Sequence, residues 1–440
     1  MFFGKKRVKQ IEEHISQQTE LDQSYWANVS RQFNKNRLAV WSLRIFYVIL
    51  FIALFADFIA NERPIACKID NTVSFPVFNQ YGVALGISSW EDKFVTKRWD
   101  EHNYDWVIYP PIPYSATSQD KYNRNYASPF EKQRDKTGTK KWWNYHWLGT
   151  DEIGRDVMAG MVYGTRVAVL VGIIAMSIAL IIGILIGSLA GYFGDTRLKM
   201  SLIRLILNPI AFFLGIFYGF TSRSYALSDG DSSEYLTSIA IFIGCLIIAN
   251  ILASILKHLG PLGRQITLPM DILVMRAIEV INSIPGLLLI LSVVAIIERS
   301  SVIWVMVIIG LISWTGIARF IRAELLRVRS LEYIEAAQAM GFSERRIIFR
   351  HAIPNALTPV LITIAFGIAS AILTEAFLSF LGIGVAAEDV TWGSLLNLAR
   401  SKFQAWWLAI FPGFAIFITV TIFNLIGEGL TDALDPKLKQ

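Results

Sequence analysis

The chain has 440 residues, of which 54% are hydrophobic and only 17% are charged, against a usual charged share of about 25%. Its net charge is +6, yet long stretches of the chain contain no charged residue at all. Because a bilayer core requires every backbone polar group to be paired within its own segment, this pattern excludes a soluble enzyme, a disordered chain and a porin-like barrel.

Eight membrane-spanning helices are predicted, which makes the chain an all-α polytopic membrane protein. A helix needs about 20 apolar residues to cross the hydrocarbon core. The first candidate, 38–60, carries only Arg44 and Asp57. The other seven windows contain no charge, and they are 167–194, 205–222, 235–256, 280–297, 300–318, 351–374 and 403–427.

The polar segment 1–37 precedes the first span and is predicted to be cytoplasmic. It mixes seven Lys/Arg with four Asp/Glu, and is too long and too mixed for a cleaved signal peptide, so the span 38–60 is expected to be an uncleaved anchor. Cys67 and Cys245 are expected to be too far apart in the topology to pair. We attribute the positive net charge to cytoplasmic loops and not to nucleic-acid binding.

The largest polar segment, 61–150, is predicted to be an extracytoplasmic domain of mixed structure. It is rich in proline and aromatic residues, and the alternation over 73–78 suggests a short strand. Its aromatic residues either form a small core with an interfacial belt or contact a ligand or partner. An interfacial segment and the second span follow, over 151–200.

The later loops agree with a cytoplasmic N-terminus and a cytoplasmic C-terminal tail, 431–440. Seven arginines lie between residues 319 and 350, a loop predicted to be inside, whereas 222–235, predicted to be outside, contains only Arg223 as a basic residue. The chain is therefore expected in the cytoplasmic or inner membrane with both termini inside.

The sequence contains no motif of a nucleotide-binding, metal or hydrolytic site: Gly-x4-Gly-Lys-Ser/Thr, His-Glu-x-x-His, Cys-x-x-Cys and Gly-x-Ser-x-Gly are all absent. We expect neither an enzyme nor a bound cofactor or metal. Glu375 alone among the ionisable residues lies well inside a span. It serves either in a helix-to-helix hydrogen bond or in a proton path, so an ion-coupled secondary transporter remains the alternative.

The segment 331–354 predicts a helix, a break and a second helix. Ala336 and Ala337 favour the first helix, and Gly341 supplies a left-handed stop. Ser343 is expected to cap the second helix, and Pro354 to open the next span. Such an element either docks into a groove on another protein or packs on its own bundle.

These residues resemble a known family. Glu335-Ala336-Ala337 with Gly341 and Pro354 resembles the EAA motif of ABC importer permease subunits, and Arg350 to Asn355 resembles its dipeptide and oligopeptide branch. A second motif ahead of the second span is similar to the signature of the DppC/OppC-like permeases. Its residues are His146, Gly149, Thr150, Asp151, Gly154, Arg155 and Asp156.

Further matches at 283–286, 378–384 and 424–436 follow in the family's order, and 41–64 resembles the YejE-like members. The resemblance implies a six-span permease core, with 271–430 carrying a cytoplasmic EAA coupling loop at 320–354. The spans within 201–270 are then an inserted hairpin, either a lipid-facing structural element or a gate.

The resemblance also implies the partners and the mechanism. A second homologous permease subunit, two ABC ATPase subunits and an extracytoplasmic solute-binding protein that delivers peptide are expected. Glu335, Ala336, Ala337 and Gly341 would form the ATPase-coupling element, and Pro354 would fix its link to the next span. A ligand-sensing receptor is disfavoured, because neither terminal segment is long enough for an output domain.

Overall fold

The computed structural model describes residues 25–91, 94–95, 97–135, 138–140, 144–228, 232–258, 260–297, 301–384, 386 and 389–434. The N-terminal residues 1–24 and the end of the tail, 435–440, lie outside the described residues, so the expectations for them are not addressed. The chain forms two compact units. The first consists of the described residues up to Ile184, of Asn282–Ile317, and of the chain from Pro354 onward; the second consists of Leu185–Ile281 and Ala318–Ile353.

Helices make up most of the described chain, as the sequence predicts. In chain order they are α1 (Tyr25–Phe33), α2 (Arg37–Leu54), α3 (Ala56–Ile59), α4 (Pro76–Ala84), α5 (Val157–Ser188), α6 (Leu202–Ile216), α7 (Ser224–Ser228), α8 (Ser232–Leu256), α9 (Met270–Asn282), α10 (Gly286–Ile296), α11 (Val302–Val328), α12 (Glu332–Ala339), α13 (Glu344–Ile347), α14 (Ile353–Phe380), α15 (Trp392–Ala399) and α16 (Trp407–Leu434).

The strands are short and confined to loops. They are β1 (Ala66–Ile69), β2 (Thr72–Ser74), β3 (Trp106–Ile108), β4 (Arg134–Asp135), β5 (Gly138–Thr139), β6 (Lys199–Ser201) and β7 (Gln265–Thr267).

The predicted all-α membrane architecture is confirmed. Seven helices of the described chain are long and apolar enough to cross a membrane, namely α2, α5, α6, α8, α11, α14 and α16. Turns of π-helix extend α5 over Leu189–Phe193 and α6 over Phe217–Thr221, and a third, Ile348–Ala352, joins α13 to α14.

The predicted span 280–297 differs from the observed structure. Helices α9 and α10 meet there at a 79° bend, and only together do they satisfy the criteria for a span. Pro285 lies at the start of α10 and disfavours helical backbone in the residue before it. The 11 residues of α10 rise only about 16 Å, roughly half of a hydrocarbon core. The eighth predicted span is therefore a bent pair of helices and not one continuous helix.

Residues 61–150 contain a three-stranded antiparallel sheet in the order β2-β1-β3. The strand predicted over 73–78 ends at Ser74, because Pro76 begins α4, where its missing N–H group is not needed. Cys67 lies on β1 and is buried, and neither Cys67 nor Cys245 forms a disulfide.

The core of the first unit lies where α5, α10, α11 and α14 meet. Val171, Ile290, Ile309 and Ala371 are among its buried members. Helices α2 and α15 pack against α16 in the same unit. Asn36 caps α2 by accepting a hydrogen bond from the N–H of Ala39 at 3.1 Å.

The second unit contains a helical hairpin. Helices α6 and α8 pack along each other, and β6 pairs with β7 to form an antiparallel ribbon at the base of the hairpin.

Candidate functional site

Helix α12 has two distinct faces. Ile334 and Ala337 are buried, whereas Glu335 and Ala336 are exposed. Because residues three apart share a helix face, Ile334 and Ala337 attach α12 to its own chain. The expectation that both alanines approach a partner therefore fits Ala336 only, since the methyl group of Ala337 faces inward.

The C-terminus of α12 is closed by backbone hydrogen bonds around Gly341. Gly341 has a φ of +76°, and its N–H donates to the carbonyl of Gln338 at 2.9 Å. The N–H of Phe342 donates to the carbonyl of Ala337 at 3.2 Å. These two bonds form a Schellman motif, in which glycine adopts the left-handed conformation without a Cβ penalty.

The segment after Gly341 departs from expectation at Ser343. Ser343 stands at the N-cap of α13, but its side chain makes no capping hydrogen bond. Pro354 is the second residue of α14, where its missing N–H is tolerated, and a π-turn joins α14 to the preceding helix that begins at Glu344. The π-turn shifts the backbone hydrogen bonds by one residue just before Pro354, which has no N–H to donate.

Polar contacts within the second unit fix the chain around α12. The hydroxyl group of the buried Tyr192 donates to the carboxylate of Glu344. Arg322 forms a bidentate pair with Asp271, with 2.6 Å between Nη2 and Oδ2. Arg329 donates to the carbonyl of Gly191 at 3.4 Å. The segment that carries Glu335 to Gly341 thus has fixed attachments at both ends.

The second sequence motif surrounds a buried imidazole. His146 has no exposed surface; its Nδ1 lies 2.7 Å from Oδ2 of Asp156, and its Nε2 lies 3.1 Å from Oδ2 of Asp120. Lys140 contacts both Asp120, at 2.5 Å, and His146, at 2.8 Å. Gln133 exchanges two hydrogen bonds with the backbone of His146. These buried charges are paired, as their desolvation requires.

Burial by itself would lower the pKa of His146, but the hydrogen bonds to Asp120 and Asp156 outweigh it and raise that pKa. Burial alone would likewise raise the pKa of Asp120, but hydrogen bonds from His146 and Lys140 hold it well below its usual range. The two carboxylates therefore favour the protonated imidazole, against the opposing effects of burial and of the Lys140 ammonium.

The middle of the motif forms a tight loop. Thr150 donates its hydroxyl to the carbonyl of Asn123 at 2.8 Å, and its own carbonyl accepts from the indole of Trp407 at 3.0 Å. Asp151 accepts from the backbone N–H of Arg155 at 2.8 Å and from the guanidinium of Arg155 at 2.6 Å. The two glycines, Gly149 and Gly154, both have positive φ, so the loop depends on residues without a Cβ.

The helix cap of the motif is Asp156. Oδ1 of Asp156 accepts from the N–H of Ala159 at 2.6 Å, three residues on, at the start of α5. Thr150 and Asp151 instead satisfy backbone groups of the loop. The motif therefore connects the start of α5 to Trp407 of α16 within the first unit.

A second buried ion pair was not predicted from the sequence. Asp57 lies 2.7 Å from the guanidinium of Arg166 and accepts from Tyr81 at 2.5 Å and Tyr163 at 2.7 Å. Arg166 also donates to the carbonyl of Ala53 at 3.0 Å. The sequence offered one indication of this pair, since Asp57 and Arg166 each lie at the edge of an apolar window.

Glu375 is buried in α14, and Ser379, one turn later, donates to its carboxylate at 2.5 Å. Thr391 provides a further side-chain hydrogen bond. No group of three or more metal-ligating residues occurs in the described part of the chain. The surroundings of Glu375 therefore match the hydrogen-bonded role more closely than a chain of proton carriers.

Comparison with known proteins gives two family matches. Residues 262–440 match the binding-protein-dependent transport system inner membrane component, and residues 24–73 match the N-terminal TM domain of oligopeptide transport permease C.

Individual permeases are similar over much of the chain. The inner membrane ABC transporter permease protein YejE of Escherichia coli is 28% identical over 96% of this chain and 99% of its own length. The peptidoglycan transport system permease protein YejE of Agrobacterium fabrum is 27% identical over 94% of this chain and 92% of its own. The dipeptide transport system permease protein DppC of Alkalihalophilus pseudofirmus is 31% identical over 67% of this chain and 73% of its own.

Proposed function

Because the chain belongs to the family of binding-protein-dependent inner membrane permeases of ABC importers, we propose that it forms half of a peptide translocation pathway. A second homologous permease subunit forms the other half, two ATPase subunits bind from the cytoplasm, and a solute-binding protein delivers peptide from outside. The names of the similar dipeptide and peptidoglycan permeases support peptide or peptide-containing cargo.

We further propose that the chain crosses the membrane with the topology expected from its sequence. The N-terminal segment 1–37 and the tail 431–440 are cytoplasmic, and 61–150 is extracytoplasmic, followed by the second span within 151–200. The permease core occupies 271–430, with its coupling loop at 320–354, and 201–270 is an inserted hairpin. The high Arg content of 319–350 supports this orientation.

The observation that carries the proposal is the division of α12 into an attached face and a free face. Ile334 and Ala337 bury one side, so Glu335 and Ala336 remain for a partner. Glu335 provides a negative charge for basic or polar groups of an ATPase groove, and the small Ala336 permits close approach. A short, exposed, acidic helix of this kind is suited to docking.

The same geometry indicates how motion is transmitted. Gly341 ends α12 in a fixed left-handed turn, and uninterrupted helix then runs from Glu344 to Phe380, through Pro354. A displacement of α12 by closing ATPase subunits would reach a membrane span through this short connection. The permease itself binds no ATP in this scheme.

We predict that Glu335→Arg reduces ATP-dependent peptide uptake at least tenfold, because it reverses the charge that faces the ATPase. Uptake of labelled peptide into proteoliposomes containing the assembled importer measures this. Glu101→Arg makes the same charge change at an exposed position outside α12 and outside the 146–156 motif, and should leave uptake unchanged. Equal uptake by wild type and Glu335→Arg would overturn the role of Glu335.

Cross-linking distinguishes the face of α12 that is proposed to dock on the ATPase from the face that packs on its own chain. Ala336→Cys should cross-link to an ATPase cysteine, whereas a cysteine at the next residue, in Ala337→Cys, is buried and should not. Uptake that persists without ATPase subunits and without ATP would instead favour the ion-coupled transporter.

A further inference from the structure

The hairpin of α6 and α8 carries a polar seam. At its base Arg204 donates from Nη2 to the hydroxyl of Ser254 at 3.2 Å. One turn further along, Asn250 donates from Nδ2 to the side-chain carbonyl of Asn208 at 3.0 Å. Polar side chains are rare on apolar spans, and here they occupy one line at one end of the hairpin.

The seam borders a groove of about 560 Å³ lined by Arg204, Asn250, Ser254 and apolar residues of α8. Four isoleucines recur every four residues along the groove and are 48–62% exposed; they are Ile243, Ile247, Ile251 and Ile255. Residues at this spacing lie on one face of a helix. Only 11% of the most apolar stretch of α8 is buried, the lowest share among the described spans. This face is therefore available to an apolar ligand.

The base of the groove is positively charged. The segments 195–204 and 257–271 contain five Lys/Arg and two Asp. Asp271 is engaged by Arg322, and Asp195 accepts from the N–H of Ile272 at 3.2 Å. Nε of Arg204 is buried yet has no hydrogen-bond partner among the described residues. A guanidinium so placed favours an additional acceptor, because an unpaired buried donor is costly.

We propose that this groove binds an anionic phospholipid. The phosphate group accepts hydrogen bonds from the guanidinium of Arg204, and Ser254 and Asn250 contact the polar region between headgroup and chains. An acyl chain then lies along the isoleucine stripe. Arg204 is in the first turn of α6 and Ser254 is near the end of α8, so both lie at the end of the hairpin, where headgroups are found.

A phospholipid fits these observations better than the other occupants. Free phosphate would use Arg204 but leave the isoleucine stripe uncovered. A protein helix would cover the isoleucines, but it would need an acidic group at one end to match the basic base. A phospholipid with a net negative headgroup provides both the charge and the chain in one molecule.

The test is native mass spectrometry of the full chain in a neutral detergent, titrated with phosphatidylglycerol or with phosphatidylcholine. We expect phosphatidylglycerol to bind about fivefold more tightly, from one basic contact to an anionic headgroup. Arg204→Gln should remove this preference, and Arg204→Lys, which keeps the charge, should retain most of it. Equal binding of both lipids by wild type, or an unchanged preference in Arg204→Gln, would overturn the proposal.

A matched control lies on the same hairpin. Arg223 is paired with Glu234 between α6 and α8, and Arg223→Gln should keep the preference for phosphatidylglycerol. A photo-reactive residue at position 251 should give adducts with the mass of a lipid. Adducts with a protein, or no adduct with the mass of a lipid, would show that a phospholipid is not the occupant.

Discussion

At the scale of single residues, the motif over 146–156 is part of a buried charge cluster. The motif residues His146 and Asp156 are ten positions apart, but their function in the fold depends on Asp120 and Lys140, which no motif included. The sequence pattern identified His146 and Asp156 as motif residues but did not show which residues they contact. Their contacts stabilise the loop at the start of α5, and none of them forms a metal site in the described chain.

The cluster predicts a pH-dependent stability. The pKa of His146 is raised in the folded chain, so its contribution is fully present below the unfolded value of about 6.5. The contribution is lost as the pH rises through the folded pKa. The pKa of Asp120 is lowered, so its contribution is present above about 3.9 and is lost as the pH falls further.

We therefore expect the thermal unfolding temperature of the wild-type chain to decrease as the pH is raised from 6 to 9. His146→Asn should lower the stability at pH 6 by about 3 kcal/mol, because it leaves buried carboxylates with fewer partners. It should also flatten the pH dependence. Intrinsic fluorescence during thermal unfolding measures both effects. His102→Asn, in the same segment 61–150, serves as the control, and an equally flat profile for that variant would contradict the assignment to His146.

At the scale of elements, α12 and its Schellman turn form the unit on which coupling is proposed to depend. The helix has only eight residues, so it is too short to be stable by itself and relies on the packing of Ile334 and Ala337. Gly341 then directs the chain into the helical run that ends at Phe380. The direction of α12 is thus determined by one backbone conformation and one buried face.

Substitution of Gly341 tests this element. Gly341→Ala should cost about 1 kcal/mol in the turn, because φ of +76° is unfavourable with a Cβ, and should reduce coupled uptake several-fold. Gly341→Pro should abolish uptake, because proline fixes φ near −65° and removes the N–H donated to Gln338.

Both variants should reach the membrane at normal levels, as measured by immunoblotting of membrane fractions. Gly244→Ala, within helix α8 and with open space around it, is the control and should transport normally. Full uptake by Gly341→Pro would contradict the coupling assignment.

At the scale of the whole molecule, the architecture is that of a multi-pass permease with seven candidate spans and one bent helix pair in the described chain. The two compact units divide the proposed functional residues. The motif over 146–156 and Pro354 belong to the first unit, and Glu335 to Gly341 belong to the second. Helical segments such as Glu344–Phe380 pass from one unit to the other along the chain. A permease that converts ATPase motion into transport requires such covalent connections.

The topology is testable by labelling single cysteines in intact cells and in inverted vesicles. Glu152→Cys should react with an impermeant reagent from outside only, and Glu335→Cys from the cytoplasmic side only. Both positions are exposed, whereas Thr150 is fully buried and would be a poor probe. Labelling of both cysteines from the same side would contradict the proposed topology.

The sequence by itself determined the membrane class, the approximate spans and the family, because hydropathy and local motifs are properties of contiguous residues. The helix–turn–helix character of 331–354 could also be predicted, since alanine and glycine act through local backbone preference. The break at Pro285 was not predicted, because apolar composition alone does not distinguish one straight helix from two helices at an angle.

Tertiary structure decided which residues meet. Asp57 and Arg166 are 109 positions apart, and Thr150 and Trp407 are 257 apart, so no local pattern connects them. It also decided that Ala337 faces inward and Ala336 outward, because burial depends on the packed neighbour and not on the residue type. Contacts across such sequence distances arise only when the spans pack together, and for that reason the docking face and the buried charge cluster could be described only from the folded chain.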